Sequence, residues 1–536
     1  MRVCMAQLNP TVGNVASNVE KIEQIIREAA KEQADLIVLP ELFLTGYPPR
    51  DLLLRTDFRG AVQTGISQLK ALSRKYPEIG IICGVPLDKN GQLFNSAVVV
   101  YEGDIIFSHD KIQLTEYEMF SETRYFTPGS VLKTFSFRGE VVGLSIGNDL
   151  NHKEGMKSLV QQGANLIVNL AAVPFTVGVD QLWFEQLREF TIQSGVPFVC
   201  VNQVGGNDEL IFMGNSLCLD ETGQLVYVCP QFLEAVQIVD TDSELGEEPI
   251  GEIDETAQIY QALVVGVRDY IRKSGLGKVL IGLSGGLDSA VVCAIAVKAL
   301  GADNVWGITM PGPYSSPGSV EDSRLLAENL GIKFDVIPIS SIYDSFLSTL
   351  KEQFTETKPN VAEENIQARV RGSILMALSN KFGGMVLTNS NKSELAIGYC
   401  TLYGDMSGGL GVIGDVYKTM VYKIAYYINR EKEVIPWETI EKPPSAELRP
   451  NQRDDESLPP YEILDAIIQG YLYDELSVDK LVAQGFARET VEWVTRTIDR
   501  NDYKRRQAAP ILRVTSPVTG PGRNMPLAAV KGPFIK

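Results

Sequence analysis

Apolar and polar positions along the chain repeat with two different periods. Residues 2–9 alternate like a half-buried strand, and 14–31 carry Val15, Val19, Ile22, Ile25 and Ile26 at helical spacing. The apolar run Leu36 to Pro40 predicts a buried strand that ends at Glu41. Further strands are predicted at 79–85, 97–101 and 105–108, with Glu102-Gly103-Asp104 as a hairpin turn. Strands at 141–146, 166–170, 198–201, 216–219 and 225–228 follow, with helices at 153–162 and 183–192 between them. Hairpins mixed with helices predict sheets sandwiched between helices.

The stretch from Asp240 to Glu255 is rich in Asp, Glu and Gly and has no periodicity, so it reads as a linker. The expected division is a first domain at 1–240, a linker at 241–255 and a second domain at 256–536. Thr256 is expected to cap a helix that stops at Gly275. Beyond it the pattern alternates: strand 278–284, helix 289–300, strand 305–310, helix 319–330 and strand 334–339. Helices near 341–353 and 361–382 precede a strand at 385–389. The fold class expected here is α/β, a doubly wound parallel sheet with ligands at the carboxyl ends of its strands.

Composition narrows the options. A chain of 536 residues exceeds one typical core, in keeping with two domains. A net charge of −18 argues against a general nucleic-acid or anionic-membrane surface. Seven scattered cysteines without C-x-x-C suggest reduced thiols and a cytoplasmic setting. Two histidines, His109 and His152, exclude a histidine-rich metal site. Residues 1–8 read as a strand, not a signal peptide, and no run approaches the roughly 18 apolar residues of a membrane span.

The chemistry centres on Gly282-Leu283-Ser284-Gly285-Gly286-Leu287-Asp288-Ser289, which leaves a buried strand and opens a helix. Paired glycines admit close approach of a ligand, and the new helix aims free N–H groups at it. This suits a polyphosphate, with Ser284 and Ser289 as donors and Asp288 as a Mg²⁺ ligand. No G-K-[ST] follows, so this is not the Walker pattern. It resembles the PP-loop of ATP pyrophosphatases, which transfer AMP to a substrate and release pyrophosphate.

In the first half three strings stand in order: Leu39-Pro40-Glu41-Leu42-Phe43, Ser108-His109-Asp110-Lys111 and Phe120-Ser121-Glu122-Thr123-Arg124. Together they resemble the nitrilase, or carbon–nitrogen hydrolase, superfamily. The resemblance implies an α-β-β-α sandwich and a Glu–Lys–Cys triad, with Glu41 as general base and Lys111 as the lysine. Where that family carries its cysteine in a pattern like I-C-E-D, this chain reads Ile146-Gly147-Asn148-Asp149. Glycine cannot form an acyl-enzyme. Val173 and Val179 stand where glutaminase members hold the charged end of glutamine, while Tyr117 keeps the glutamine-contacting position. The expectation is a first domain that keeps its fold and has lost glutaminase activity.

In the second half the loop is followed by Asn365-Ile366-Gln367-Ala368-Arg369-Val370-Arg371, Asn391-Lys392-Ser393-Glu394, Tyr403-Gly404-Asp405-Met406-Ser407 and Tyr503-Lys504-Arg505-Arg506-Gln507. In this order they resemble the NAD synthetase family, whose two-domain, glutamine-dependent bacterial form has a nitrilase-like first domain. The resemblance implies ATP-dependent amidation of deamido-NAD through an acyl-adenylate. It implies ATP at residues 282–289 and at Thr388 and Asn389, and Mg²⁺ on Asp288 and Glu394. Asn365, Arg369, Glu394 and Lys504 would contact deamido-NAD. Family members form dimers through the synthetase domain and often octamers. With Gly147 in place of a thiol, free ammonia is the expected nitrogen donor, and a working glutamine-dependent enzyme is the alternative. An RNA-modifying PP-loop enzyme fits the acidic charge poorly. The glycine-rich stretch Gly398 to Asp415 is expected to form a mobile, ligand-covering loop, Pro443, Pro444 and the 450–460 stretch an irregular segment, and the basic cluster at 502–507 a solvated face or a phosphate contact.

Overall fold

The computed structural model describes residues 1–117, 120–241, 254–450, 452, 458–515 and 525–529, and the side chain of Tyr117 is outside that description. The chain divides into two compact units, Met1–Ile253 and Asp254–Lys536. The expected linker lies almost wholly outside the described residues, as does much of the 450–460 stretch.

The first unit is an α-β-β-α sandwich, as the resemblance implied. One sheet runs in the order Ala235–Asp240, Arg2–Gln7, Leu36–Val38, Gly80–Lys89, Gln92–Tyr101, Asp104–Asp110. The other runs Leu225–Val228, Leu217–Leu219, Phe198–Asn202, Leu166–Ala171, Glu140–Ile146, Thr134–Phe137. Alternation along the strands makes the layers. Val3 and Met5 join Leu144, Val168 and Val201 in the core between the sheets. Cys4 and Ala6 point the other way, into a core shared with Ile22 and Leu69 of the helices Val15–Lys31 and Thr56–Lys75. Helices Lys153–Gln161 and Val179–Ser194 cover the second sheet through Met156, Leu159 and Leu187.

Several elements of this unit escape the sequence pattern, among them one helix and one edge strand. The helix Thr56–Lys75 is interrupted by Gly60 and Gly65, which weaken its helical signal. Gly65 has a packing reason: a Cβ there would stand 2.6 Å from Val15 Cγ1, so its absence lets the two helices approach. The edge strand Ala235–Asp240 runs up to the boundary where the linker was expected to begin, and pairs antiparallel with Arg2–Gln7.

The second unit is built on a five-stranded sheet in the order Lys333–Val336, Val305–Thr309, Val279–Gly282, Met385–Thr388, Leu410–Gly411. All four pairings are parallel. Val279–Gly282 is the central strand, at the point where the winding reverses, and such switch points open a crevice at the strand ends. The helix Leu287–Leu300 follows it and is buried on most of its circumference. The expected cap at Thr256 is corrected. Asp254 caps the helix Glu255–Lys273, accepting from Ala257 N at 3.2 Å, and Thr256 lies inside the first turn. A carboxylate one position outside the first turn satisfies the orphan N–H groups better than a threonine within it. The helices Tyr461–Leu472, Val478–Ala483 and Arg488–Arg500 close over Ala396 and Ile397 through Leu464, Ile468, Leu481 and Val494. Among the described residues no helix is long and apolar enough to cross a membrane.

Candidate active sites

In the first unit, Glu41 and Lys111 are brought together from distant strands. Glu41 follows the strand Leu36–Val38, and Lys111 follows Asp104–Asp110. Lys111 Nζ lies 2.7 Å from Glu41 Oε1 and 2.9 Å from Glu122 Oε2, and it donates to Thr115 Oγ1 at 3.2 Å. Asn95 Nδ2 donates to Glu41 Oε1 at 2.7 Å. Burial pushes the Glu41 carboxyl up to about 7, against the pull of Lys111 and with the help of Glu122. Burial works against the Lys111 ammonium, but the two carboxylates prevail and hold it above the ordinary lysine range. Glu122, in a quoted string but given no role from the sequence, is thus a member of the cluster.

Gly147 stands beside this pair and brings no side chain to it. It has φ of +45°, and a Cβ there would stand 2.9 Å from Glu41 Oε2 and 3.5 Å from Lys111 Nζ. A side chain at 147 would therefore point into the Glu41–Lys111 pair. Asp149 sets this turn: it accepts from Ile112 N at 2.8 Å, Gln113 N at 2.9 Å and Ile146 N at 3.0 Å, and meets His109 Nε2 at 2.8 Å. Burial pushes the thiols of Cys4, Cys200, Cys218 and Cys229 up to about 12 and raises that of Cys83 as well, which disfavours the reactive thiolate at each.

In the second unit a cleft of ≈ 320 Å³ opens at the carboxyl end of the central strand, and Gly282, Leu283, Ser284, Gly286, Leu287, Asp288 and Ser289 line it. Gly286 is the N-cap of the helix Leu287–Leu300 and no side chain caps it, so the first-turn N–H groups face the cleft. Ser284 Oγ accepts from Gly286 N at 3.1 Å, and Ser289 Oγ donates to Gly286 O at 3.0 Å, which fixes the loop. Gly285 faces away: it has φ of +76°, and a Cβ there would meet Ser319 O at 2.3 Å. Asp288 and Glu394 both line the cleft. Asn391 Nδ2 donates to Asp288 Oδ1 at 3.0 Å, and Asp288 Oδ2 is paired with Lys418 Nζ.

Lys418 is the main residue the sequence reading missed. It stands in the first turn of the helix Lys418–Ile428, outside every string with a recognisable pattern. Burial opposes its charge, but Asp288 and Glu394 keep the ammonium above the ordinary lysine range. Arg371, which also lines the cleft, donates from Nε to Met310 O at 2.9 Å; burial lowers it to about 10. It was within a quoted string but had no role assigned. The segment from Lys442 to Leu448 forms another wall; Glu447 accepts from Ser316 Oγ at 2.8 Å and Ser319 Oγ at 2.9 Å.

The remaining sequence candidates fall into two groups. Asn389 lines the cleft and donates to Gly282 O at 2.9 Å, and its buried Oδ1 has no hydrogen-bond partner. Thr388 is buried beside it, behind the lining, where a Cβ on Gly408 would approach Thr388 Cγ2 to 2.6 Å. Asn365, Arg369 and Lys504 do not line the cleft; they meet the 398–402 segment. Thr401 Oγ1 donates to Asn365 Oδ1 at 2.7 Å, Arg369 Nε reaches Leu402 O at 3.3 Å, and Lys504 Nζ donates to Gly398 O at 2.7 Å and Cys400 O at 2.8 Å. The basic cluster is not a uniform solvated face. Arg505 is buried, donating to Ile498 O at 2.7 Å and pairing with Asp502 Oδ1 at 3.0 Å.

A cation fits the cleft only as a shared ligand. Among the described residues no three His, Cys, Asp or Glu side chains converge as a metal cage. Two carboxylates, Asp288 and Glu394, are the usual protein share for a Mg²⁺ completed by water and substrate phosphates.

Comparison with known proteins places both units. A family model described as NAD synthase matches residues 259–508, and one described as carbon–nitrogen hydrolase matches residues 2–248. The chain is 42% identical to the glutamine-dependent NAD(+) synthetase of Synechocystis, with 98% of each chain covered. It is likewise 42% identical to that of Acinetobacter baylyi, again over 98% of each. Among solved structures, the glutamine-dependent NAD+ synthetase of Acinetobacter baumannii in complex with ADP superimposes with a TM-score of 0.80 at 40% identity, covering 98% of both chains.

Proposed function

Since the chain belongs to the glutamine-dependent NAD(+) synthetase family of carbon–nitrogen ligases, we propose that the cleft of its second unit converts deamido-NAD to NAD+ at the expense of ATP and takes its nitrogen from free ammonia. One observation carries the first part: an uncapped helix N-terminus, a lysine and two carboxylates line a single cleft at the sheet's switch point. The nucleotide held by the Acinetobacter baumannii relative supports a nucleotide here.

The nicotinate carboxylate attacks the α-phosphorus of ATP, and the bond to pyrophosphate breaks. Negative charge then gathers on the departing pyrophosphate. The N–H groups of the first turn after Gly286, the Ser284 hydroxyl and the Lys418 ammonium stabilise it there. Mg²⁺ held by Asp288 and Glu394 would neutralise phosphate charge and align the leaving group. Asn389, through its bond to Gly282 O, steadies the strand end that carries the loop. Ammonia next attacks the acyl carbon and expels AMP. The walls formed by Gly404 to Ser407 and Lys442 to Leu448 limit water around the mixed anhydride. Asn365, Arg369 and Lys504, gathered on the 398–402 segment, hold the dinucleotide beside the cleft.

The donor assignment rests on Gly147. Glu41 and Lys111 stand as a hydrolase would hold them, but nothing at 147 can attack an amide carbon. The relatives' names favour a second reading, in which glutamine still supplies the nitrogen. The assay that separates the two is NAD+ formation with ammonium or with ammonia-free glutamine. Turnover with ammonium alone is expected. Equal rates with low glutamine and no added ammonium would overturn the ammonia reading and leave the amidation reading intact.

A further inference from the structure

The cleft's two charged partners on either side of Asp288 come from different helices. Glu394 stands in the short helix Lys392–Ile397, and Lys418 opens the helix Lys418–Ile428. A third element ties them together. Asp465, buried on the helix Tyr461–Leu472, receives the hydroxyl of Ser393 on Oδ1. Its Oδ2 accepts from Thr419 N at 3.1 Å and Thr419 Oγ1 at 2.9 Å. Ser393 Oγ in turn accepts from Lys418 N at 2.9 Å. One carboxylate thus fixes the residue before Glu394 and the residue after Lys418, and Ser393 fixes Lys418 itself.

The chemistry of this knot is demanding. Asp465 takes three donors, and burial, the largest influence on it, raises its carboxyl. All of those donors need an acceptor, and an amide in its place would turn an NH₂ group toward N–H or O–H donors. A buried acceptor lost in this way releases the groups it held.

We infer that Asp465 is a positioning residue for the synthetase reaction: by holding Ser393 and the first turn of Lys418–Ile428, it sets Lys418 and Glu394 at their places around Asp288. It does not itself line the cleft. The inference rests on the proposed role of the cleft, so Lys418→Ala serves as the gauge of that role. A catalytic group displaced by a fraction of an ångström loses much of its effect, and misplacements near 1 Å cost about 10²-fold.

The experiment compares five variants of the full chain, Asp465→Asn, Ser393→Ala, their double variant, Tyr471→Phe and Lys418→Ala, under saturating ATP, Mg²⁺, deamido-NAD and ammonium. Tyr471 lies on the same helix and donates to Asp499 Oδ2 at 2.9 Å, so its variant perturbs the same helical cluster away from Ser393 and Lys418. Asp465→Asn is expected to lower kcat by about 10- to 100-fold. The double variant should be no slower than about twofold below the worse single one, because both break one network. Tyr471→Phe should lower the thermal midpoint while leaving kcat within about twofold. Three results would overturn the inference: an unchanged kcat in Asp465→Asn, fully multiplicative losses in the double variant, or equal kcat losses in Asp465→Asn and Tyr471→Phe at equal loss of thermal midpoint. If Lys418→Ala retains full activity, the role given to the cleft fails instead.

Discussion

At the scale of single residues, the first unit is defined by what position 147 lacks. Restoring the side chain is expected not to restore the reaction. Gly147→Cys would place a Cβ 2.9 Å from Glu41 Oε2, forcing that carboxylate to shift, and Val173 and Val179 would still leave the charged end of glutamine unpaired. Glutamate release from glutamine should stay at background in this variant; measurable release would show that the amide pocket is intact. Glu41 also marks stability. Its folded carboxyl titrates at about 7 against an ordinary 4.5, so between these values the folded chain holds a proton that the unfolded chain has given up. Stability therefore falls as pH rises through that window. Glu41→Gln has no such proton, so the variant's thermal midpoint should gain on the parent's between pH 5 and pH 8, and a constant difference would refute the assignment. The residues that sequence reasoning named were those inside recognisable strings. Lys418 was not among them because a lysine at the start of a helix looks solvated until the chain folds it onto Asp288. Asn365, Arg369 and Lys504 were named, yet only folding reveals that all three meet one short segment.

Among elements, the loop at residues 282–289 shows how far local pattern reaches. Strand, loop and helix were legible to within two residues, since an apolar run, small residues and a capless helix start are local signals. The parallel alternation that follows was legible for the same reason. The helix Thr56–Lys75 and the edge strand Ala235–Asp240 were not, because two glycines, of which Gly65 serves close packing, and a short strand beside a polar linker both weaken periodicity. The same tight packing exposes the loop to test. Gly285 has positive φ and lies against the backbone of Ser319, where a methyl group would fall 2.3 Å from the carbonyl oxygen. Gly285→Ala should cost about 1–3 kcal/mol of strain or force the loop away from the helix Pro317–Leu330. The expected outcome is a raised KM for ATP with the KM for ammonium little changed. An unaltered ATP titration would mean the loop does not hold the nucleotide.

For the whole molecule, two separate cores predict two separable responses to ligand. The first unit closes its layers around the sandwich interior, and the second around its own sheet and helical cluster. ATP with Mg²⁺ binds the folded second unit in this reading, and a ligand at 100 times its Kd stabilises by about 2.7 kcal/mol. Calorimetry should therefore show one transition moving upward with ATP and another staying put; joint movement of a single transition would mean that the units unfold as one. The helix Leu287–Leu300 adds a consequence in the time domain. Eleven of its 14 residues are buried and only Lys298 is exposed, so most of it is shielded from water. In deuterated solvent its amides should be among the last of the second unit to exchange, surviving until that unit opens as a whole. The loop at its start, by contrast, has Ser284 exposed at the cleft and should exchange early. Phosphate would then be received by a solvent-facing rim anchored to the slowest-exchanging part of the unit, and bound ATP should slow exchange at the rim without altering the helix behind it.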